Sequence, residues 1–515
     1  MKKMSFYGCM GILALATSMA ACSSDDDNND NGGDSKENYV WTTDGGIRAC
    51  DHLLFSETDG SEDPEGRQIG NGDKEFVFTG KQTLKKGTYL LKGWVYIADG
   101  AELTIEKGTV IKGDKQTKAA LIAERGGKLI AQGTAQEPIV FTSEEAKGSR
   151  KPGDWGGIIL CGKARNNQEE MQIEGGPRTM HGGSNDADNS GVLSYVRIEF
   201  AGYPFDTDKE INGLTLGSVG SGTQIDHVQI SYSNDDSFEW FGGTVNCKYL
   251  VAYKGWDDEF DTDNGFSGNV QFCLSVRDPR IADKSQSNGF ESDNCADGTS
   301  SALPLTTATF SNVTFVGPRS FSGFDNSTSY INGGSVYPNN GSGLGKFQSA
   351  MHIRRSSHLN CFNSLAVGYP VGLIVDGEKG NTKSDAEKGL INLKNIWFAD
   401  MGVVGSDANK IYDDVLYDAV KQQVIDANQQ SFSHTFFLAQ QGNAVKDYAS
   451  LMLTDPAGVG APFMPQTGSP LLTGASFTDT LLSGWFAQVS YIGAFAANDN
   501  WLTGWTCFDP QNMEY

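Results

Sequence analysis

From residue 94 to residue 164, apolar and polar positions alternate in short runs broken by glycine-bearing turns. The text reads WVYIADGAELTIEKGTVIKGD, then AALIAERGGKLIAQGTAQEPIVFTSEE, then DWGGIILCGKA. Period-two alternation over a few residues marks a half-buried strand, and no helical stretch separates one run from the next. Units of roughly 20–25 residues of this kind predict a solenoid of β coils, which lengthens along one axis instead of enlarging a single core.

The middle of the chain divides into coils. Residues 193–198, 225–230, 249–253, 270–274 and 310–315 read as equivalent strands. A second strand follows in each coil: Leu214-Thr215-Leu216, Phe238-Glu239-Trp240, Phe260-Asp261, Phe290-Glu291, Ile353-Arg354 and Leu373-Ile374. Alternation sends the first residue of each inward and the second outward. The outward ladder is then Thr215, Glu239, Asp261, Glu291, Arg354 and Ile374, and His227 and His352 read as further ladder residues.

Acidic residues repeat in step with these coils. NDDSFEW carries Asp235, Asp236, Phe238 and Glu239, and WDDEFDTDNG carries Asp257, Asp258, Phe260 and Asp261, each 22 residues later. Coils rest on one another at ~4.8 Å, so these positions become vertical neighbours. Asp263 and Asp293 fall two residues beyond Asp261 and Glu291 on the same face. Two unit charges ~5 Å apart repel by about 3 kcal/mol at an effective dielectric near 20. Three remedies are open: a divalent cation, for which oxygen ligands and loose geometry indicate calcium; raised carboxyl pKa values; or salt bridges to Arg354 or Lys248. The alternative is that the turn aspartates hydrogen-bond their own backbone and the column lies in solvent. The candidate metal ligands are Asp235, Asp236, Glu239, Asp257, Asp258, Asp261, Asp263, Glu291 and Asp293.

Long inserts at residues 203–210, 278–287 and 318–347 interrupt the coils beside this face, and long loops with no packing task are commonly functional. The last holds Phe321, Phe324, Tyr330 and Tyr337, candidates either to stack on sugar rings or to anchor the loop.

Composition narrows the picture. A chain of 515 residues is too long for one ordinary compact core, and its 63 glycines suit a fold made of turns. A formal charge of −24 excludes a nucleic-acid partner, whose phosphates need a basic surface, and suits cations, neutral sugars or a basic protein. Seven cysteines beyond the N-terminal region, without a CxxC pair, do not form a metal cage; Cys161, Cys247, Cys273 and Cys361, in apolar strand-like runs, read as buried small residues, with one disulfide left open. Late in the chain, Ile411, Tyr412, Val415, Leu416, Ala419, Val420 and Val424 recur at helical spacing and predict an amphipathic helix. The aromatic-rich tail, with Trp485, Trp501 and Trp505, is expected to cap the solenoid.

Lys2 and Lys3, the short apolar run YGCMGILALA and the phrase Met19-Ala20-Ala21-Cys22 form a secretory signal whose end looks like a bacterial lipobox, with Cys22 as the lipidated residue. The tract SSDDDNNDNGGDSKEN that follows is too acidic and too rich in Gly and Asn to fold, and is expected to be a tether. This arrangement resembles the surface-export signal of Bacteroidota lipoproteins. The phrases DGAELTIEKGTVIKG, GGKLIAQGT, PIVFTS and GDWGGIIL, with the closing GWTCFDPQNMEY, resemble surface proteins of that group built on a right-handed parallel β-helix, the pectate lyase superfamily fold. The expected class is therefore all-β: a right-handed parallel β-helix with a short helical insertion and an aromatic-rich C-terminal cap. Its expected divisions are a signal at 1–22, a tether at 23–40, the β-helix at 41–400, and the helical insertion and cap at 401–515.

For function, the resemblance implies an outer-membrane, lipid-anchored protein that serves a TonB-dependent transporter. The acidic face suggests calcium-assisted capture of a glycan ligand. Two alternatives stand beside this: a calcium-dependent polysaccharide lyase or glycoside hydrolase, and an adhesin or structural surface protein. In a lyase, Arg354 or Arg355 would move the proton; as a plain structural residue, Arg354 would pair with Glu291. The GHG and RIK phrases of polygalacturonases are missing, as are HExxH, a phosphate-binding loop and a nucleophile elbow, which favours the non-catalytic class.

Overall fold

A computed structural model describes residues 41–44, 47–55, 67–168, 170–206, 209–334 and 343–515. The signal region with Cys22, the acidic tether and Tyr337 lie outside the described residues. The described residues include a parallel β-helix with two long sheets of 13 and 18 strands. In the smaller sheet, successive coils contribute parallel neighbours in chain order, among them Leu214–Gly217, Phe238–Phe241, Phe260–Asp263, Phe290–Ser292, Ser349–Ile353 and Val371–Val375. The larger sheet holds the longer strands Gly191–Glu199, Gln224–Ser231, Asn246–Tyr253, Asn269–Val276 and Thr309–Val316, also paired in register.

Alternation explains the interior. Phe238, Trp240, Phe260, Phe290, Phe310 and Phe315 all point inward with no exposed surface. Phe238 stacks on Phe260 with centroids 5.6 Å apart, and Phe290 meets Phe310 at 4.5 Å. Each such side chain contributes about 1.5–3 kcal/mol by leaving water.

Each long strand bends midway at a left-handed residue. Tyr195, His227, Tyr249, Phe272, Asn312, Asn363 and Asn395 all have φ between 50° and 61°. Such a backbone is unfavourable for side chains other than Gly and Asn. Stacking offsets it in the first four: ring centroids lie 4.2, 4.4 and 5.1 Å apart from Tyr195 through His227 and Tyr249 to Phe272. Higher up, asparagines tolerate the bend, and Asn395 donates to Asn363 at 2.7 Å. His227 is thus a ladder residue, as its position in the repeat suggests.

The expected helix over residues 411–424 does not form. Strands Leu416–Asp418 and Gln423–Asp426 make an antiparallel hairpin there instead. Asp418 accepts from the Lys421 N–H and ion-pairs with its ammonium, Gln422 turns the chain at φ 52°, and the β-branched residues favour extended backbone. A helix would have had no core to pack on, since Val420 stays 71% and Ile425 56% exposed.

A short helix precedes this hairpin, at Thr382–Glu387, and a longer one follows it, at Phe432–Ala439, capped by the Ser431 hydroxyl accepting from His434 N. The longer helix closes the end of the smaller sheet. Phe437 stacks on Phe398 at 4.0 Å, and Gly405 of the last strand comes so near that a Cβ there would lie 2.4 Å from His434 N.

The aromatic tail covers the flank of the larger sheet, running back past successive coils. Carboxamides on the sheet grip its peptide groups at both ends: Asn363 with Ser476, Gln271 with Ala487 and Gln229 with Cys507, at 2.7–2.9 Å. Trp505 is fully buried, edge-on to Tyr195 and His227. Tyr515 ends the path with its hydroxyl donating to buried Glu199 at 2.7 Å.

All seven described cysteines are free and buried. Burial pushes the Cys161 and Cys361 thiols up to about 12, so neither is a ready thiolate. The melting temperature should be the same with and without reductant; a fall of several degrees on reduction would reveal a disulfide.

Candidate functional site

The sheet register places Thr215, Glu239, Asp261, Glu291, His352 and Ile374 in one outward column. His352 therefore holds the position expected for Arg354. Both Met351 and Ile353 of the Ser349–Ile353 strand face inward, so Arg354 falls two residues further along, level with Asp293. Its guanidinium turns back to pair with Glu291 and with Asp293, the latter at 2.7 Å, and Arg355 also reaches Asp293 at 2.7 Å. His352 is buried, with Nε2 3.2 Å from Asp376 and Nδ1 3.6 Å from Glu291. Lys248 lies on the other sheet with its ammonium over Trp485, so it does not balance the column.

The turns preceding these strands explain two of the six repeated acids, Asp236 and Asp258. Asn212 Oδ1 accepts from Asp236 N, Asp236 Oδ1 from Asp258 N, Asp258 Oδ1 from Asn288 N, and Asn288 Oδ1 from Ser349 N. Each side chain satisfies a backbone donor of the next coil that would otherwise be buried unpaired. This ladder was missed as such, although its signal is in the sequence: Asn212-Gly213-Leu214, Asp236-Ser237-Phe238, Asp258-Glu259-Phe260 and Asn288-Gly289-Phe290 share an Asn or Asp two residues before the inward apolar residue.

Beside the ladder lies a cleft of about 330 Å³, lined by eleven carboxylates against Lys284, Arg354 and Arg355. All nine candidate metal ligands line it, joined by Glu174 and by Asp283 of the 278–287 insert. The Ser285 hydroxyl, from the 278–287 insert, lies between the carboxyls of Asp257 and Asp283, 2.6 and 2.8 Å from their oxygens, and donates its one proton to either. The 318–347 insert backs that wall through bridges Asp283 to Leu344 and Ser287 to Phe347.

Two groups offer converging oxygens within 4.8 Å of one another: Asp235, Asp236 and Asp257, and Asp236, Glu239 and Asp261. Each contains a buried oxygen that accepts no hydrogen bond, Asp257 Oδ1 in the first and Asp261 Oδ1 in the second. Asn212 Nδ2 donates to Glu239. Burial, and then the facing carboxylates, hold the carboxyls of Asp236, Glu239, Asp257, Asp258 and Asp261 well above their usual range. Asp263 is raised to about 8 by burial and Asp293. Burial alone would lower Arg354, but Asp293 and Glu291 outweigh it and hold the guanidinium above its ordinary value.

The candidate aromatics are spread out. Phe321 packs against the tail's apolar cluster, with its ring 3.5 Å from where a Cβ on Gly460 would lie. Phe324 meets Tyr330 and Phe347 edge-on at 5.6 and 5.8 Å, and Arg280 lies over the Tyr330 ring at 4.1 Å. These three rings are half-buried loop contacts in the structure, and none lines the acidic cleft.

Comparison with known proteins agrees with the fold. No curated protein and no solved structure matches the chain. The family model described as "Pectate-lyase like beta helix domain" matches residues 77–449, well over half of the sequence. The chain belongs to the pectate-lyase-like β-helix family.

Proposed function

We propose that the protein binds calcium in the acidic cleft and uses it to capture a glycan ligand, without cutting it. The observation that carries this reading is the pair of carboxylate triads, each with an unsatisfied buried oxygen. Two calcium–oxygen bonds of ~2.4 Å span at most about 4.8 Å, which matches the spread of each triad. The bound ion would offset the repulsion among the carboxylates and present open coordination positions to hydroxyl or carboxylate oxygens of a sugar.

A lyase or hydrolase reading has the right fold family behind it. Against the lyase stands the state of its candidate bases: Arg354 and Arg355 are both tied to Asp293, and the acids around Arg354 strengthen its hold on its proton. An arginine so held is a poor proton acceptor. The test is to incubate the protein with acidic polysaccharides, with calcium or with chelator. The expected result is calcium-dependent retention with no rise in absorbance from unsaturated product. Such a rise would establish a lyase, and reducing ends without it a hydrolase. Adhesion or surface coating would need neither calcium nor a sugar.

The cellular setting proposed rests on residues 19–22 and the acidic tract after them. Acyl chains on Cys22 would anchor the protein in the outer membrane, facing outward, beside a TonB-dependent transporter that takes up the captured ligand. Among the described residues no helix is long and apolar enough to cross a membrane. Cys22→Ala should move the protein from the membrane fraction to the soluble one; retention in the membrane would remove the lipid anchor from the account.

A further inference from the structure

Behind the cleft, and without touching it, lies an ion pair between Arg277 and Glu259 in which neither side chain has any exposed surface. Arg277 Nη1 donates to Glu259 Oε1 and to the carbonyl of Asp257, and Nη2 donates to the carbonyl of Trp256 at 3.2 Å. The other oxygen of Glu259 accepts from the Ser237 hydroxyl at 3.2 Å. Ser237 follows Asp236 in the first acidic turn, and Glu259 follows Asp258 in the second. The pair therefore ties the two turns together from behind.

Its other contacts reach the two inserts that build one wall of the cleft. The guanidinium lies over the Phe347 ring at 5.2 Å, where the 318–347 insert rejoins the sheet, and the Ser287 hydroxyl of the neighbouring insert shares the Trp256 carbonyl at 2.8 Å. Gly255 leaves the space this needs, since a Cβ there would lie 2.7 Å from Ser237 Oγ. Packing alone does not call for such a pair, because apolar residues of similar volume often serve a buried site equally well or better. What an apolar pair cannot do is hold two consecutive carbonyls, one of them belonging to Asp257.

We propose that Arg277 and Glu259 are positioning residues that fix the spacing of the two acidic turns and so set the affinity of the cleft for calcium and its preference over magnesium. The inference rests on the calcium reading of the cleft. Magnesium requires shorter bonds and near-ideal octahedral geometry, so turns held at one spacing suit calcium, and turns free to close admit the smaller ion.

The test compares calcium and magnesium titrations of the chelator-stripped protein with its Arg277→Met/Glu259→Gln variant, which leaves no unpaired buried charge. The milder Ser237→Ala, which removes one link only, serves if the double variant does not fold. Groups that orient metal ligands are commonly worth about 10–100-fold in affinity. The double variant should therefore bind calcium at least about ten-fold more weakly and lose much of its preference over magnesium. Ser237→Ala should move both quantities the same way by less. A lower melting temperature with unchanged affinity and unchanged preference would overturn the proposal and leave the pair a structural one. Absence of calcium binding by the unaltered protein would instead overturn the reading of the cleft itself.

Discussion

Stripped of divalent ions, the protein should melt higher at pH 5 than at pH 8. Asp263 has its carboxyl raised from 3.8 to about 8, and five neighbours are raised by the same burial and mutual repulsion. Between about pH 4 and pH 8 the folded state therefore holds protons that the unfolded chain has released. Stability falls with rising pH wherever the folded state binds more protons, so it is lost as pH climbs through this window. Each pKa unit is about 1.4 kcal/mol, and a shift of several degrees in melting temperature is expected. Calcium should restore stability at pH 8, by ~2.7 kcal/mol at about 100 times its dissociation constant. Melting curves at the two pH values, with chelator and with calcium, check this. Curves that coincide across pH and ignore calcium would mean that the carboxylates ionise freely in solvent.

Trp505→Ala should cost ~3–5 kcal/mol, the usual loss for a large aromatic in a packed site. Trp505 has no exposed surface, meets Tyr195 and His227 edge-on, and donates from its ring nitrogen to the Trp501 carbonyl at 2.7 Å. The rings it touches are those that stabilise the left-handed bends, so its loss reaches the solenoid as well as the tail. Trp485, half-buried under the Lys248 ammonium, should matter much less when replaced by Ala. Limited proteolysis with thermal melting separates the two. Trp505→Ala should expose the tail to cleavage and lower the melting temperature, and a variant as resistant as the parent would show the tail to be a dispensable covering.

The solenoid was legible because inward aromatic residues and outward polar ones keep step at coil length. Phe238, Phe260 and Phe290 announce their column, and Glu239, Asp261 and Glu291 beside them follow from alternation. The column was misread at one position only, Arg354 for His352, where the 318–347 insert breaks the count and both Met351 and Ile353 face inward, and it is recovered at Ile374. The helical spacing over residues 411–424 misled because it ignored what the apolar side would pack against. The helix at Phe432–Ala439 was signalled by its capping serine and clustered phenylalanines, in too few residues to show a period. Asp236 and Asp258 had two readings, cation ligand or backbone acceptor. Each gives one oxygen to the backbone of the next coil and still lines the cleft. The Arg277–Glu259 pair was not visible at all, since its meaning lies in which carbonyls it reaches.

The most direct test of the cation reading is calorimetric titration of calcium into chelator-stripped protein, beside a Glu239→Gln/Asp261→Asn/Glu291→Gln variant. Saturable binding by the unaltered protein that disappears in the variant is the predicted result. No heat of binding in either, or equal binding in both, would contradict it and leave the repeated carboxylates to protonation, arginine and the backbone ladder.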